Sequence, residues 1–267
     1  MNTFQRYEQK YLINPEQQTL LLQAAEEHLV ADKHGSNNIF DLSGNSVLQQ
    51  AGYLVQNIYY DSDTWQSIRA SIDKPQYKEK LRLRCYGRLN TDGKVYLELK
   101  KKFKGVVYKR RLAIAATSLT SQSIQEILQS DNSQIAQELA YYLSSHTVFA
   151  RVYISYQRLA YTDPSLSGFR LTFDSSIRFR LFDLNFVHPN EGQLLVPSDQ
   201  TLMEVKTLTG IPLWLSALLS EDAVYPNSFS KIGFCYSQHI QKVTSLESVS
   251  TVLSPYEKHT NQRMKGR

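Results

Sequence analysis

Lys80-Leu81-Arg82-Leu83-Arg84 and Leu97-Glu98-Leu99-Lys100, on either side of the turn sequence Asn90-Thr91-Asp92-Gly93, carry a charged side chain at every second position with leucine between. A period of two is the period of a strand, so one face of each segment is charged and the other apolar. Glu8/Lys10, Lys109/Arg111, Arg170/Thr172/Asp174 and Glu204/Lys206 repeat the alternation, the last two around Leu171, Phe173, Met203 and Val205. A single charged face is an ordinary solvated strand surface or a set of cross-strand ion pairs. So many of them predict an α+β fold: an antiparallel β-barrel tunnel with a charged lumen, its apolar exterior covered by helices. The natural guest of such a lumen is strongly negative.

Working outward, residues 4–13 read as a first strand, and Asn14-Pro15-Glu16 opens a helix to about Val30, with Asn at the cap and Pro at the first helical position. Residues 33–50, rich in Gly, Ser and Asn, read as a mobile insertion loop. Tyr53 to Asp61 reads as a strand and Trp65 to Ile72 as a short helix. Strands at 78–88, 94–102 and 106–115 form a meander through the turns at Asn90 to Gly93 and Lys104-Gly105. Residues 119–145 carry helix-spaced Ile124, Ile127, Leu128, Ile135, Leu139, Tyr142 and Leu143, with a break near Asp131-Asn132. Strands follow at 148–161, 168–180 and 202–207. A helix from Pro212 to Leu219 buries Trp214 and Leu215, and a last helix starts near Ser228. One domain is expected over residues 1–245, followed by a polar tail, 246–267.

The 267-residue chain has a net charge of +5, concentrated in the strand motifs rather than in a tail. That favours a local anion site over diffuse attraction to nucleic acid or membrane, and no basic stripe interleaved with aromatics indicates a nucleic-acid partner. Cys85 and Cys235 lack CxxC spacing and read as buried thiols in a reducing compartment. No apolar leader and no run of about 18–20 apolar residues occurs, so a soluble cytoplasmic protein without a transmembrane segment is expected. There is no GxxxxGK[ST] sequence and no Rossmann fingerprint; a nucleotide bound here is not held by a P-loop. His28, His34, His146, His188, His239 and His259 show no ligand spacing. Lys101, Lys102 and Lys104 read as surface charges, Arg178 and Arg180 as rim positions, and Tyr59, Tyr60 and Tyr153 as barrel packing.

Eight short motifs then fall in one order: Arg6-Tyr7-Glu8-Gln9-Lys10-Tyr11, Ile58-Tyr59-Tyr60-Asp61, Lys80-Leu81-Arg82-Leu83-Arg84-Cys85-Tyr86-Gly87, Leu97-Glu98-Leu99-Lys100, Tyr156-Gln157-Arg158, Arg170-Leu171-Thr172-Phe173-Asp174, Glu204-Val205-Lys206 and Ser228-Phe229-Ser230-Lys231. Over about residues 4–240 this order resembles the VTC family, the polyphosphate polymerase domain of the vacuolar transporter chaperone complex, within the triphosphate tunnel metalloenzymes. The resemblance implies a tunnel lined by basic residues that hold a triphosphate and by carboxylates that hold a divalent metal. It implies an enzyme that moves the γ-phosphate of ATP onto a growing polyphosphate chain.

Carried over position by position, Lys10, Arg82, Arg84, Lys100, Arg158, Arg170 and Lys231 are the expected catalytic phosphate ligands. Lys80, Lys109, Arg111, Tyr156, Lys206 and Ser230 are expected as further substrate contacts. Glu204, with Glu98 or Glu8, is expected to hold Mn²⁺ or Mg²⁺. The superfamily's N-terminal ExExK is present only as Glu8-Gln9-Lys10, which ties the metal more to Glu204 than to Glu8. The regulatory helical domain and the transmembrane domain of the eukaryotic complex are not in this chain, so coupled export and a membrane-protein partner are not assigned to it.

Phosphoryl transfer spreads charge over the transferring oxygens and asks the protein chiefly for positioning and electrostatics. Arg82 and Arg84 suit a bidentate grip on phosphate, and Lys10, Lys100 and Lys231 act as point charges. An ionised terminal phosphate needs no general base, whereas hydrolysis must orient a water, and no histidine is placed for that work. The expected function is therefore a metal-assisted polyphosphate polymerase acting on ATP and polyphosphate. A triphosphatase of the same fold and a non-catalytic polyphosphate binder are the alternatives.

Overall fold

The computed structural model describes residues 7–32, 52–73, 75–104, 106–166 and 168–241. The elements in chain order are β1 (Tyr7–Ile13), α1 (Pro15–His28), β2 (Val30–Ala31), β3 (Tyr53–Asp61), α2 (Gln66–Ile72), β4 (Tyr77–Tyr86), β5 (Lys94–Phe103), β6 (Val106–Ala115) and α3 (Ala116–Ser121). There follow α4 (Ile124–Ser130), α5 (Gln134–Ser145), β7 (Phe149–Thr162), β8 (Arg170–Arg180), β9 (Gln193–Leu194), β10 (Thr201–Thr207), α6 (Leu213–Glu221) and α7 (Lys231–Cys235), which a π-helical turn, Tyr236–Ile240, continues. The fold is α+β, built on a large antiparallel sheet. The insertion loop and the tail expected from the sequence lie outside the described residues.

The main sheet runs β1-β10-β8-β7-β3-β4-β5-β6, with β2 beside β7 and β9 beside β8. On a flat sheet β1 and β5 would stand about 29 Å apart, six strand spacings. Instead Glu8 of β1 and Lys100 of β5 act electrostatically on one another, so the sheet is strongly curled. The segment before α7 ties the two sides together: the Asn227 N–H donates to the Lys10 carbonyl at 2.6 Å, the Lys10 ammonium donates to the Phe229 carbonyl at 3.0 Å, and Lys80 donates to the Ser230 hydroxyl at 3.3 Å.

The expected closed barrel is in this respect an open trough, because no ladder joins β6 to β1 among the described residues. Alternation reports which face a residue takes; closure depends on strand tilt and shear, which alternation does not encode.

The faces separate as the period-two pattern requires. Leu81, Leu83, Leu97 and Leu99 point outward and pack with Ile127 and Leu128 of α4 and Ala136 and Leu139 of α5. On the other flank Tyr11, Ile13, Leu171, Phe173, Met203 and Val205 pack with Leu21 and Ala25 of α1 and Leu215 and Leu219 of α6. The last helix departs from the expectation of purely external helices. Ile232, Cys235 and Tyr236 sit against Val55, Ile154 and Tyr156 on the inner face, so α7 plugs part of the trough. It can do so because the inward side chains of β3 and β7 that it meets, Val55, Ile154 and Tyr156, carry no formal charge, unlike those of the strands beside them.

Arg178 and Arg180 are not rim residues. Ser176 has φ = 50° and the β7–β8 register shifts there, a bulge that reverses the inside–outside order. Ile177 and Phe179 therefore face inward. Arg180, 2% exposed, points outward beneath the following loop, where it donates to the carbonyls of Asp183, Asn185 and His188 and lies 3.7 Å over the Tyr153 ring. Cys85 and Cys235 are buried free thiols.

Candidate functional site

Strand pairing lines the inner face with rows of side chains. Lys80 of β4 stands opposite Lys100 of β5, which stands opposite Lys109 of β6. Like charges directly opposite each other on one face are destabilising. Burial, then Lys78, Lys100, Lys10 and Arg82, push the Lys80 ammonium down to about 7. Lys100 is lowered too, by burial and by Lys206, Arg82 and Lys10, against the pull of Glu8.

The next row is Arg82, Glu98 and Arg111. Glu98, 1% exposed, accepts from Arg82 at 2.8 and 2.7 Å, from Arg111 at 2.6 Å and from Lys109 at 2.6 Å. Burial would raise its carboxyl, but Arg82, Arg84 and Lys109 hold it well below the usual carboxylate range. This crowd of donors occupies both oxygens, so the metal role expected for Glu98 finds no support in its geometry. Glu98 instead gathers three cations into position.

Deeper along the same strand, Arg84 donates to the Asn57 side-chain carbonyl at 2.9 Å and to the Tyr156 hydroxyl at 3.0 Å. Arg158 and Lys231 lie over the Tyr156 ring at 5.1 and 4.3 Å. Burial alone would raise this phenol; Arg158, Arg84 and Lys231 overcome it and bring it to about 8.

The opposite wall is built on β7, β8, β10 and β1. Asp174, fully buried, receives Arg158 through two bonds of 2.6 and 2.7 Å and Lys231 at 2.5 Å. Lys231 thereby pins the start of α7 into the trough, while the Ser230 hydroxyl caps that helix. Lys10 pairs with Glu8 at 3.0 Å, and Lys206 pairs with Glu204. Arg170 is drawn to Asp32 at 2.6 Å and to the Tyr53 hydroxyl at 3.1 Å, at the Tyr53 end.

Lys10, Lys80, Arg82, Arg84, Lys100, Lys109, Arg111, Arg158, Lys206 and Lys231 thus converge on Glu8, Glu98, Asp174 and Glu204, with Tyr156 and Ser230 among them. Among these residues cations outnumber carboxylates by six, and burying unpaired cations costs several kcal/mol each. The arrangement is suited to a polyanion. Asp174 and Asn57 are the members to which sequence reasoning gave no role. Asp174 stood in the alternating pattern, but its partners are visible only once Arg158 is found opposite it.

Glu8 and Glu204 are the carboxylates that could hold a divalent cation, each paired with one lysine, Lys10 and Lys206, through a single oxygen. The pairings Glu8 with Lys206 and Lys10 with Glu204 set the two acids diagonally on adjacent strands. Burial and Glu204 push Glu8 upward, and Lys100, Lys10 and Lys206 overcome them. These are hard oxygen donors. No group of three or more His, Cys, Asp or Glu side chains suited to a metal occurs among the described residues. An ion here would therefore complete its shell with water and with oxygens of a bound phosphate, a common mode for Mg²⁺.

The Lys80 environment gives a testable consequence. Burial and the surrounding cations favour the neutral form of Lys80 in the free protein, and a bound polyphosphate anion would favour its charged form. Tripolyphosphate binding at pH 8 is expected to take up about one proton, read as the dependence of calorimetric enthalpy on buffer ionisation heat. Lys80→Met should reduce the uptake, leaving the part that the Tyr156 phenol contributes. An uptake equal in wild type and variant would assign the proton elsewhere.

Among known proteins, the VTC domain family matches residues 5–241. No curated protein matches the chain. Among solved structures, the PH1819 protein from Pyrococcus horikoshii OT3 is similar at 16% identity and a TM-score of 0.44, over 90% of this chain and 99% of that one. HpAC1 from Hippeastrum, described as having a dominant triphosphatase activity, is similar at 16% identity and a TM-score of 0.47, over 86% of this chain and 94% of that one.

Proposed function

The chain belongs to the VTC domain family, and from that premise we propose that it is a polyphosphate polymerase using ATP and a divalent cation, Mn²⁺ or Mg²⁺. The observation that carries this reading is the cross-strand row Lys80, Lys100 and Lys109, facing the carboxylate pair Glu8 and Glu204 in one trough. A row of opposed lysines is a poor structural device and a good track for a chain of phosphates.

In this mechanism a terminal phosphate oxygen of the polyphosphate attacks the γ-phosphorus of ATP. The bond to the β–γ bridging oxygen breaks and ADP leaves. Arg82 and Arg84, pre-oriented by Glu98, Asn57 and Tyr156, grip the transferring phosphate through paired N–H donors. Lys80, Lys100 and Lys109 hold the acceptor chain as point charges, and Arg158 and Lys231, fixed by Asp174, face them across the trough. Arg170 extends the basic wall at the Tyr53 end. The preorganised donors need no rearrangement as charge shifts toward the leaving oxygen. A divalent cation held by Glu204 and Glu8 would supply neutralisation of the phosphate oxygens. Attack by an ionised phosphate requires no proton acceptor. No helix of the described residues is long and apolar enough to cross a membrane, and we place the reaction in the cytoplasm, with ATP as donor.

The test is incubation of the protein with ATP and Mn²⁺, with products resolved by gel and by ADP and phosphate assays. ADP together with a ladder of acid-labile phosphate chains is expected. Free phosphate equal to ADP without polymer would make the protein a triphosphatase, and absence of both would make it a binder.

Ligand binding should also register as stability. A ligand confined to the native state adds about 2.7 kcal/mol at a hundredfold excess over Kd. For a domain of this size that is roughly 5–10 °C in Tm. Tripolyphosphate should produce such a shift, smaller at high salt, and monophosphate should produce little. Equal shifts with sulfate or DNA would indicate a nonspecific basic surface.

A further inference from the structure

Lys80 is set apart from most lysines of the trough. Lys10, Lys109, Lys206 and Lys231 each meet a carboxylate. Among the described residues the Lys80 amine meets the Ser230 hydroxyl, at 3.3 Å, and no acid. The charged groups that act on it, Lys78, Lys100, Lys10 and Arg82, are all cations, and Lys100 stands directly opposite on β5. Two ammonium groups facing each other are unfavourable, so Lys80 gives up its proton near neutral pH and keeps a nucleophilic lone pair.

The same side chain lines a small cavity between the end of β3, α2 and α7, whose walls include Tyr59, Tyr60, Trp65, Ile68 and Ile232. Rings and aliphatic carbons make up most of this lining, which admits a small uncharged molecule more readily than a hydrated ion. Two polar groups share the wall. Asp61 is already occupied, its oxygens accepting from the N–H groups of Ser62, Ser67 and Ile68 at 2.8, 2.8 and 2.9 Å. Arg151 lies over Trp65, 4.4 Å from the ring centre, and its buried Nε–H has no acceptor among the described residues. A buried donor left unsatisfied costs about 1–3 kcal/mol. What this corner of the trough lacks is a small acceptor with negative charge.

Carbon dioxide fits both halves of that description: it enters as an apolar molecule and becomes an anion on combining with an amine. We propose that Lys80 is a carbamylation site, at which CO₂ and the phosphate chain exclude one another. The Lys80 nitrogen lone pair attacks the carbon, an N–C bond forms, one C=O π bond opens onto oxygen, and the nitrogen loses a proton to solvent. Lys80 thereby passes from a neutral amine to an N–COO⁻ anion. Lys78, Lys100, Lys10 and Arg82 become its counter-ions, and the Ser230 hydroxyl, until then an acceptor, donates to the new oxygen. An ordinary lysine, ionised at neutral pH, has no lone pair to offer. The modification stands on the amine, its cationic surroundings and its cavity. The exclusion rests on the polyphosphate reading of the trough, because the carbamate takes the place of a phosphate between Lys80 and Lys100.

The test equilibrates the intact protein at pH 8 with ¹³C-labelled bicarbonate and CO₂ and follows the carbamate carbon by NMR. Wild type is expected to show a carbamate resonance that both Lys80→Met and Lys80→Arg lack and that excess tripolyphosphate removes. A variant-free arm guards against misfolding: triethyloxonium traps the carbamate as an ester, and peptide mapping should place the added mass on the peptide that holds Lys80. A resonance unchanged in both variants, or an ester confined to other amines, would overturn the proposal. At the CO₂ pressure that half-fills the site, and against chloride of equal ionic strength, competition should lower the affinity of wild type for tripolyphosphate about twofold. Lys80→Arg should show no such dependence. An unaltered wild-type affinity would overturn the exclusion. A trapped Lys80 carbamate in a protein that does not bind tripolyphosphate would uphold the modification and overturn the polyphosphate reading.

Discussion

With Glu204 replaced by glutamine, phosphoryl transfer is expected to fall about a thousandfold while tripolyphosphate still binds. Glutamine keeps the size of the side chain and loses the negative charge. Glu204 is 7% exposed and paired with Lys206, so the amide leaves the basic wall intact. A metal's stabilisation of a phosphoryl transition state is worth several kcal/mol, and each factor of ten in rate is about 1.4 kcal/mol. Without metal, binding of tripolyphosphate should tighten in the variant, because a carboxylate near phosphate repels it. The measurements are turnover with ATP and Mn²⁺ and calorimetric titration with tripolyphosphate in chelator. Turnover equal to wild type would remove Glu204 from the metal site.

Asp174→Leu should cost about 3–5 kcal/mol of folding stability. The carboxylate is fully buried between Arg158 and Lys231, and its loss strands two inward-facing cations with no neutral partner to replace it. For a domain of this size the melting temperature should fall by roughly 6–20 °C. Tripolyphosphate should recover more of that loss than it adds to wild type, since it offers the stranded cations a partner. The pH dependence has a definite sign. Burial would raise the Asp174 carboxyl, but Arg158 and Lys231 lower it below its ordinary value. Its stabilisation is therefore complete above the unfolded value of about 3.9 and is lost as the pH falls toward the folded one. The acid limb of the stability curve should be flatter in the variant than in wild type. An unchanged melting temperature together with an unchanged acid limb would mean that the bridge contributes nothing.

The contrast between Glu98 and Glu204 shows where reading the sequence stops. Both sit in a Glu-x-Lys strand motif with apolar neighbours, and for both a metal role is what the family resemblance implies. Their environments differ because β6 brings two cations, Lys109 and Arg111, beside Glu98, whereas β1 brings Lys10 opposite Glu204 and a second carboxylate, Glu8, on the diagonal. The bulge at Ser176 is a second instance: simple alternation carries Arg178 and Arg180 onto the same face as Asp174, and one residue in the left-handed region sends them to the other.

The sequence by itself determined the long strands, the inward side of Lys10, Lys80, Arg82, Arg84, Glu98, Lys100 and Glu204, the outward leucines and the helix start at Asn14. These follow from local periodicity and capping, which act over a few residues. Only the tertiary structure decided that the sheet is an open trough, that α7 plugs it, and which acid neutralises which base. Arg158 meets Asp174 across 16 positions, Lys231 meets Asp174 across 57 and Lys80 meets Ser230 across 150. Such contacts depend on register, curl and helix docking, which are set by the packing of the whole chain rather than by any segment of it.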